Sequence, residues 1–120
     1  MATSLLGYGV EVFERDDYRC VYCGLDCRSF ELWRFLTVDH LLPNIPEYKD
    51  TRESLGWKAT ACQFCNSADN KFFKKNEITD KMKPEEIIKM RLEGIRKTTA
   101  KYYKHWLKEV AEKRLKKLEP

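Results

Sequence analysis

No stretch of this chain approaches the roughly 20 consecutive apolar residues that cross a bilayer, so a membrane partner is not expected. Met1 to Val10 lacks the basic start and long apolar run of a secretory leader, and a soluble, cytoplasmic protein is the expectation. A glycine-rich phosphate loop and a dinucleotide-binding fingerprint are both missing, as are internal repeats and low-complexity tracts. Histidine is scarce, with only His40 and His105 among 120 residues, so each can be weighed singly. A chain of this length builds one small core and a helical appendage.

The charge is unevenly spread. The net +4 divides into −3 over residues 1–80 and +7 over residues 81–120. A basic end behind an acidic body suits a polyanionic partner, most simply nucleic acid, although lysine-rich faces are also ordinary solvated surface.

Five cysteines say more. Cys20 and Cys23 form one C-x-x-C pair and Cys62 and Cys65 a second, with Cys27 left over. Each such turn aims two sulfurs at one point, and two turns complete a tetrahedron around zinc. The rival is a redox dithiol, but two pairs in so short a chain without a βαβ pattern speak against it. Cys27 is either a spare buried thiol or an alternative ligand to Cys23.

Along the chain, residues 10–17 suggest a short helix with Val10 and Phe13 inward. The first knuckle is closed by Gly24, which can take a positive φ. Residues 31–38 read as a strand that delivers Asp39 and His40. Residues 44–56 read as irregular loop, residues 57–65 lead into the second knuckle, and a helix is expected to start near Cys65 or Asn66. Pro84-Glu-Glu has the composition of a helix start. Gly94 is a candidate interruption before a long amphipathic helix over 97–118. There, Leu107, Ala111, Leu115 and Leu118 make an apolar stripe, and Lys97, Lys101, Lys104 and Lys108 a basic one. The lysines are either a solvated face or phosphate contacts. Tyr102, Tyr103 and Trp106 are expected to pin this helix to the body, and Tyr22, Trp33, Phe35 and Phe64 to pack around the zinc core.

His105 sits beside Trp106 among lysines, with no acidic or thiol partner in a recognisable motif, and reads as packing or surface. His40 follows a carboxylate at the end of the expected strand. Asp39 can hold a hard divalent cation, and a neutral His40 can take a proton from water. Adjacent strand residues point to opposite faces, so both reach one site only at a strand end or a bulge.

Three segments in order, Arg15-Asp-Asp-Tyr-Arg-Cys-Val-Tyr-Cys-Gly24, Leu36-Thr-Val-Asp-His-Leu-Leu-Pro43 and Thr60-Ala-Cys-Gln-Phe-Cys-Asn66, resemble an HNH endonuclease of the zinc-knuckle type. The resemblance covers roughly residues 8–71. It implies an α+β fold, a small zinc-stapled ββα-metal unit (treble-clef-like) over residues 1–76, with a basic helical extension over 77–120 packed on it. It further implies DNA as partner and phosphodiester hydrolysis as reaction. His40 would be the general base, with Asp39 and Asn66 holding catalytic Mg²⁺ or Mn²⁺, and Cys20, Cys23, Cys62 and Cys65 holding structural Zn²⁺. The products would carry 5′-phosphate and 3′-hydroxyl ends. A nick needs one such site, whereas cutting both strands needs a dimer or a second binding event.

The chain departs from the family pattern at two places. The middle Asn of the motif falls on Trp57 or Lys58, neither of which supplies an amide. Asn44 and Asn70 are the candidates to supply it from elsewhere. The lysine common after the last knuckle is replaced by Asp69, with Lys71 two positions on. Lys71, Lys97, Lys101, Lys104 and Lys108 are the candidate phosphate contacts. The missing middle asparagine favours a second reading, a non-catalytic zinc module that binds nucleic acid or protein.

Overall fold

A computed structural model describes residues 5–118, so the outer limits of both expected domains, residues 1–4 and 119–120, lie outside it. The described chain is a small α+β structure with one two-stranded sheet and helices around it. Among the described residues, no helix is long and apolar enough to cross a membrane.

A 3-10 turn, Leu6–Tyr8, precedes helix α1, Val10–Arg15, which buries Val12 and Phe13 rather than Val10 and Phe13. The first knuckle follows, its Gly24 at φ +77° letting the Gly24 N–H return to the Cys20 carbonyl at 2.8 Å. The expected strand over 31–38 divides in two. Ser29 accepts a hydrogen bond from the Leu32 N–H and caps a short helix α2, Phe30–Trp33, so that extended structure starts only at Leu36. Strand β1, Leu36–His40, pairs antiparallel with β2, Lys58–Cys62, in a register that sets Val38 against Thr60, Asp39 against Ala59 and His40 against Lys58. Between them the loop winds through short 3-10 turns. Helix α3, Gln63–Ala68, starts two residues earlier than Cys65, because Cys62 ends the strand and takes the N-cap position at once.

The two faces of the sheet have different tenants. Thr60 donates its hydroxyl to the Val12 carbonyl of α1 at 3.1 Å, and Val38 packs with the cluster of Val12, Phe13, Cys27 and Leu36. On the opposite face, as strand alternation requires, lie Thr37, Asp39, Ala59 and Ala61, covered by α3 and by the long helix Pro84–Trp106. Asp16, after the last turn of α1, accepts the Thr60 N–H at 3.0 Å and pairs with Arg15 at 2.9 Å, while Arg15 donates to the Lys58 carbonyl.

After α4, Phe72–Lys75, the chain crosses to α5, Pro84–Trp106, with proline in the first turn and Glu85 and Glu86 against the helix dipole. Gly94 does not interrupt α5. Its missing side chain admits Asp69, for a Cβ there would clash with the Asp69 carboxylate at 2.1 Å. Ile87, Arg91 and Ile95 are the buried residues of α5, at intervals of one helical turn. Ile87 joins Leu41, Leu42, Tyr48, Ala59, Phe72 and Ile78 in the largest core cluster, and Ile95 joins Cys20, Tyr22, Ala61, Cys62 and Cys65 in a second.

Beyond Trp106 a π-helical turn, Leu107–Ala111, leads into α6, Glu112–Leu118. Leu107, Leu115 and Leu118 of the apolar stripe are exposed there. Of the aromatics expected to pin this helix, Tyr102 meets Phe64 edge-on at 5.7 Å, while Tyr103 and Trp106 stack on each other. Phe35 and Phe64 are exposed, so of the four aromatics expected around the zinc core Tyr22 alone is fully buried there.

Candidate functional site

The four-cysteine group comes from two chain reversals. Cys20 and Cys23 lie on the first knuckle, which hydrogen-bonds to β2 through the Val21 N–H and the Thr60 carbonyl at 2.9 Å. Cys62 ends β2 and Cys65 lies in the first turn of α3. All four Sγ atoms fall within 4.8 Å of one another, with Cys23 and Cys62 3.9 Å apart. Ligands about 2.3 Å from a tetrahedral zinc ion stand about 3.8 Å apart, so these sulfurs fit zinc. Crowding drives the thiols apart in acidity. Hydrogen bonding with Cys62 pulls Cys20 down, the same contact pushes Cys62 up, and burial pushes Cys65 up. A divalent cation removes that conflict, because it neutralises the thiolates together. Cys27 is not in the group. It is fully buried with Val12, Phe13 and Leu36, which leaves the spare-thiol reading.

A polar cleft of about 310 Å³ lies beside this centre, lined by Asp39, His40 and Asn66 together with Arg52, Asp69, Asn70 and Arg91. The alternation problem resolves at the strand end. His40 is the last residue of β1, so it reaches the same cleft as Asp39 despite the opposite parity.

Asp39 is 4% exposed. The Tyr22 hydroxyl donates to its Oδ2, and Arg91 Nε lies 2.9 Å from the same oxygen while donating to the Tyr22 hydroxyl oxygen at 3.1 Å. Burial pushes the Asp39 carboxyl above its ordinary range, and the guanidinium and the hydroxyl pull against that shift. Burial, with the Asp39 charge beside it, pushes the Tyr22 phenol well up. Asn66 donates its Nδ2 to Thr37 Oγ1 at 2.8 Å, which leaves its Oδ1 as the oxygen not used in that contact.

His40 Nε2 lies 3.2 Å from Glu53 Oε1, yet the approach is not one along which an N–H points, and the buried atom makes no hydrogen bond among the described residues. Glu53 also reaches Lys58 Nζ through its other oxygen at 3.3 Å, and hydrogen bonding to Lys58 holds its carboxyl below the usual range. A carboxylate therefore stands beside His40. Asn70 lines the cleft at another point, and Asn44 is not among its lining residues.

Among the described residues, the cysteine set is the one group of three or more His, Cys, Asp or Glu side chains close enough to hold an ion. Asp39, His40 and Asn66 share a cleft without forming a second such group. Lys71, Lys97, Lys101, Lys104 and Lys108 are exposed, and Lys97 pairs with Glu93 at 3.6 Å.

Sequence reading missed Tyr22, Glu53 and Arg91. Arg91 carried a signal, since it sits one turn from Ile87 and one from Ile95 in a stripe that is otherwise apolar, and a cation there needs a buried anion. Nothing in the local sequence of Glu53 points to His40. Comparison with family models, with curated proteins and with solved structures finds no match to this chain.

Proposed function

We propose that this chain is a metal-dependent endonuclease of the HNH type that hydrolyses phosphodiester bonds in DNA. One observation carries the reading: Asp39, His40 and Asn66 line a single cleft against a four-cysteine centre that fits structural zinc. His40, at the end of β1, lines the cleft with Glu53 beside it, and as a neutral imidazole it would accept a proton from the attacking water. Oδ1 of Asp39 and Oδ1 of Asn66 are the oxygens left to hold Mg²⁺ or Mn²⁺. The chemistry a bound cation supplies is charge neutralisation on the scissile phosphate and its leaving oxygen. Lys71, Lys97, Lys101, Lys104 and Lys108 contact the DNA backbone on this reading.

A second reading, a zinc module that binds without cutting, draws support from the engagement of Asp39 by Tyr22 and Arg91 and from the missing amide. Relaxation of supercoiled plasmid with Mg²⁺ or Mn²⁺ separates the two. The nuclease reading expects His40→Ala to lose about 10²- to 10⁴-fold in rate, and Asp39→Ala to lose the response to added Mn²⁺, with zinc content unchanged in both. Wild-type rates in both variants refute it.

A further inference from the structure

Arg91 is a buried charged side chain, a guanidinium 4% exposed, on a helix that the sequence presents as an appendage. It touches Asp39, Tyr22 and the backbone of Asn66. Its Nε lies 2.9 Å from Asp39 Oδ2 and donates to the Tyr22 hydroxyl, and its second terminal nitrogen reaches the Asn66 carbonyl at 3.5 Å. Its Cζ lies over the rings of Phe72, Phe73 and Tyr22, with centroids 5.1, 6.0 and 5.7 Å away. Aromatic faces attract a cation and exclude water from its flanks, so the guanidinium is fixed in orientation as well as in place. Tyr22, its partner, lies between the first two zinc ligands, Cys20 and Cys23.

We propose that Arg91 and Tyr22 are positioning residues that occupy Oδ2 of Asp39 and present Oδ1 alone to a divalent cation in the cleft. The inference rests on the nuclease reading and adds the identity of the groups that make Asp39 a one-oxygen ligand. Single-oxygen ligation suits a small octahedral ion that keeps most of its waters, and suits Ca²⁺, which takes bidentate carboxylates and more ligands, less well. It also makes the carboxylate depend on two separate parts of the chain. The zinc knuckle delivers the hydroxyl, and helix α5 delivers the guanidinium. An unpaired Arg91 would be a buried charge without a counterion, so Asp39 is held from both directions.

The test uses zinc-loaded full-length protein carrying Tyr22→Phe, which keeps the ring and deletes one hydroxyl, and Arg91→Lys, which keeps the charge and deletes the fork. Titration calorimetry with Mn²⁺ is read beside plasmid cleavage, zinc content and thermal unfolding. Groups that orient a metal ligand change affinity or activity by about 10- to 100-fold. We expect the Mn²⁺ dissociation constant to rise by at least about tenfold in each variant and kcat to fall by a similar factor, with KM for DNA within about twofold and zinc retained. If Arg91→Lys does not fold, Tyr22→Phe carries the test alone. A wild type that binds Mn²⁺ and cuts DNA, with Tyr22→Phe matching it in both, overturns this inference and leaves the nuclease reading standing. A wild type that does neither overturns both.

Discussion

Gly94 and Asp69 meet where helix α5 crosses the end of α3, so closely that a Cβ on Gly94 would stand 2.1 Å from Asp69 Oδ2. A glycine inside a long helix costs backbone entropy, and replacing it by alanine ordinarily gains about 0.5–1 kcal/mol. Here the gain should be cancelled, because the Asp69 carboxylate must swing away. Gly94→Ala is expected to leave stability unchanged or lower it, whereas the same change in an Asp69→Ala background should stabilise by the ordinary amount. Urea unfolding of the four proteins measures the coupling. Equal effects of Gly94→Ala in both backgrounds would rule out the contact.

The cysteine centre predicts a division among the five thiols. Structural zinc binding is also folding free energy, because the site does not exist in the unfolded chain. Cys20→Ser and Cys62→Ser should purify without zinc and without a cooperative unfolding transition, and a strong chelator should do the same to the wild type. Cys27→Ser should keep its zinc and lose about 1–3 kcal/mol, the cost of a hydroxyl buried among Val12, Phe13 and Leu36. Zinc loss in Cys27→Ser would contradict the assignment.

Asp16 gives a pH signature. Burial raises its carboxyl, but Arg15 and the Thr60 N–H outweigh burial and hold it below the ordinary 3.8. A group lowered in the folded state contributes stability that is complete above its unfolded value and disappears as pH falls through the folded value. Asp16→Asn should therefore cost about 1–3 kcal/mol, the worth of hydrogen bonds to a charged acceptor. That cost should stay constant from pH 7 to pH 5 and shrink only below 3.8. Denaturant melts of zinc-loaded protein at pH 5, 6 and 7 suffice, and a gap that already narrows across them contradicts the assignment.

The lysines of α5 and the turn beyond it are tested by salt. Lys97, Lys101 and Lys104 lie on α5 and Lys108 just after it, all exposed. Each phosphate contact adds roughly 0.9 to the slope of log affinity against log salt on duplex DNA. Replacing all four by glutamine should flatten the slope by up to about 3.6 in fluorescence anisotropy on a short duplex. An unchanged slope would leave these lysines as solvated surface.

Much of this molecule is local chemistry that sequence spacing already states. C-x-x-C turns at 20–23 and 62–65 need only a few residues to aim two sulfurs each. Gly24 takes the positive φ that closes the first turn, and Pro84 with Glu85 and Glu86 starts α5 where a proline and two acids belong. The strand expected over 31–38 starts late, at Leu36, for a local reason as well: Ser29 captures the Leu32 N–H and spends four residues on a helical turn.

What spacing left open was settled by partners far apart in the chain. Arg91 and Asp39 are 52 positions apart and Glu53 and His40 are 13, and neither pair leaves a periodic trace at both ends. Burial decides them, since a guanidinium inside a core must find an anion, and only the crossing of α5 over the sheet determines which one. The sequence by itself determined the paired-cysteine turns, the order of strand and helix around them and the Asp39-His40 pair, because these follow from backbone conformation and side-chain type over a few residues. The tertiary structure alone decided that Asp39 is tethered to Tyr22 and Arg91, that the Glu53 carboxylate stands by His40 and that Cys27 lies apart from the other thiols, because long-range packing chooses which distant groups share a low-dielectric space.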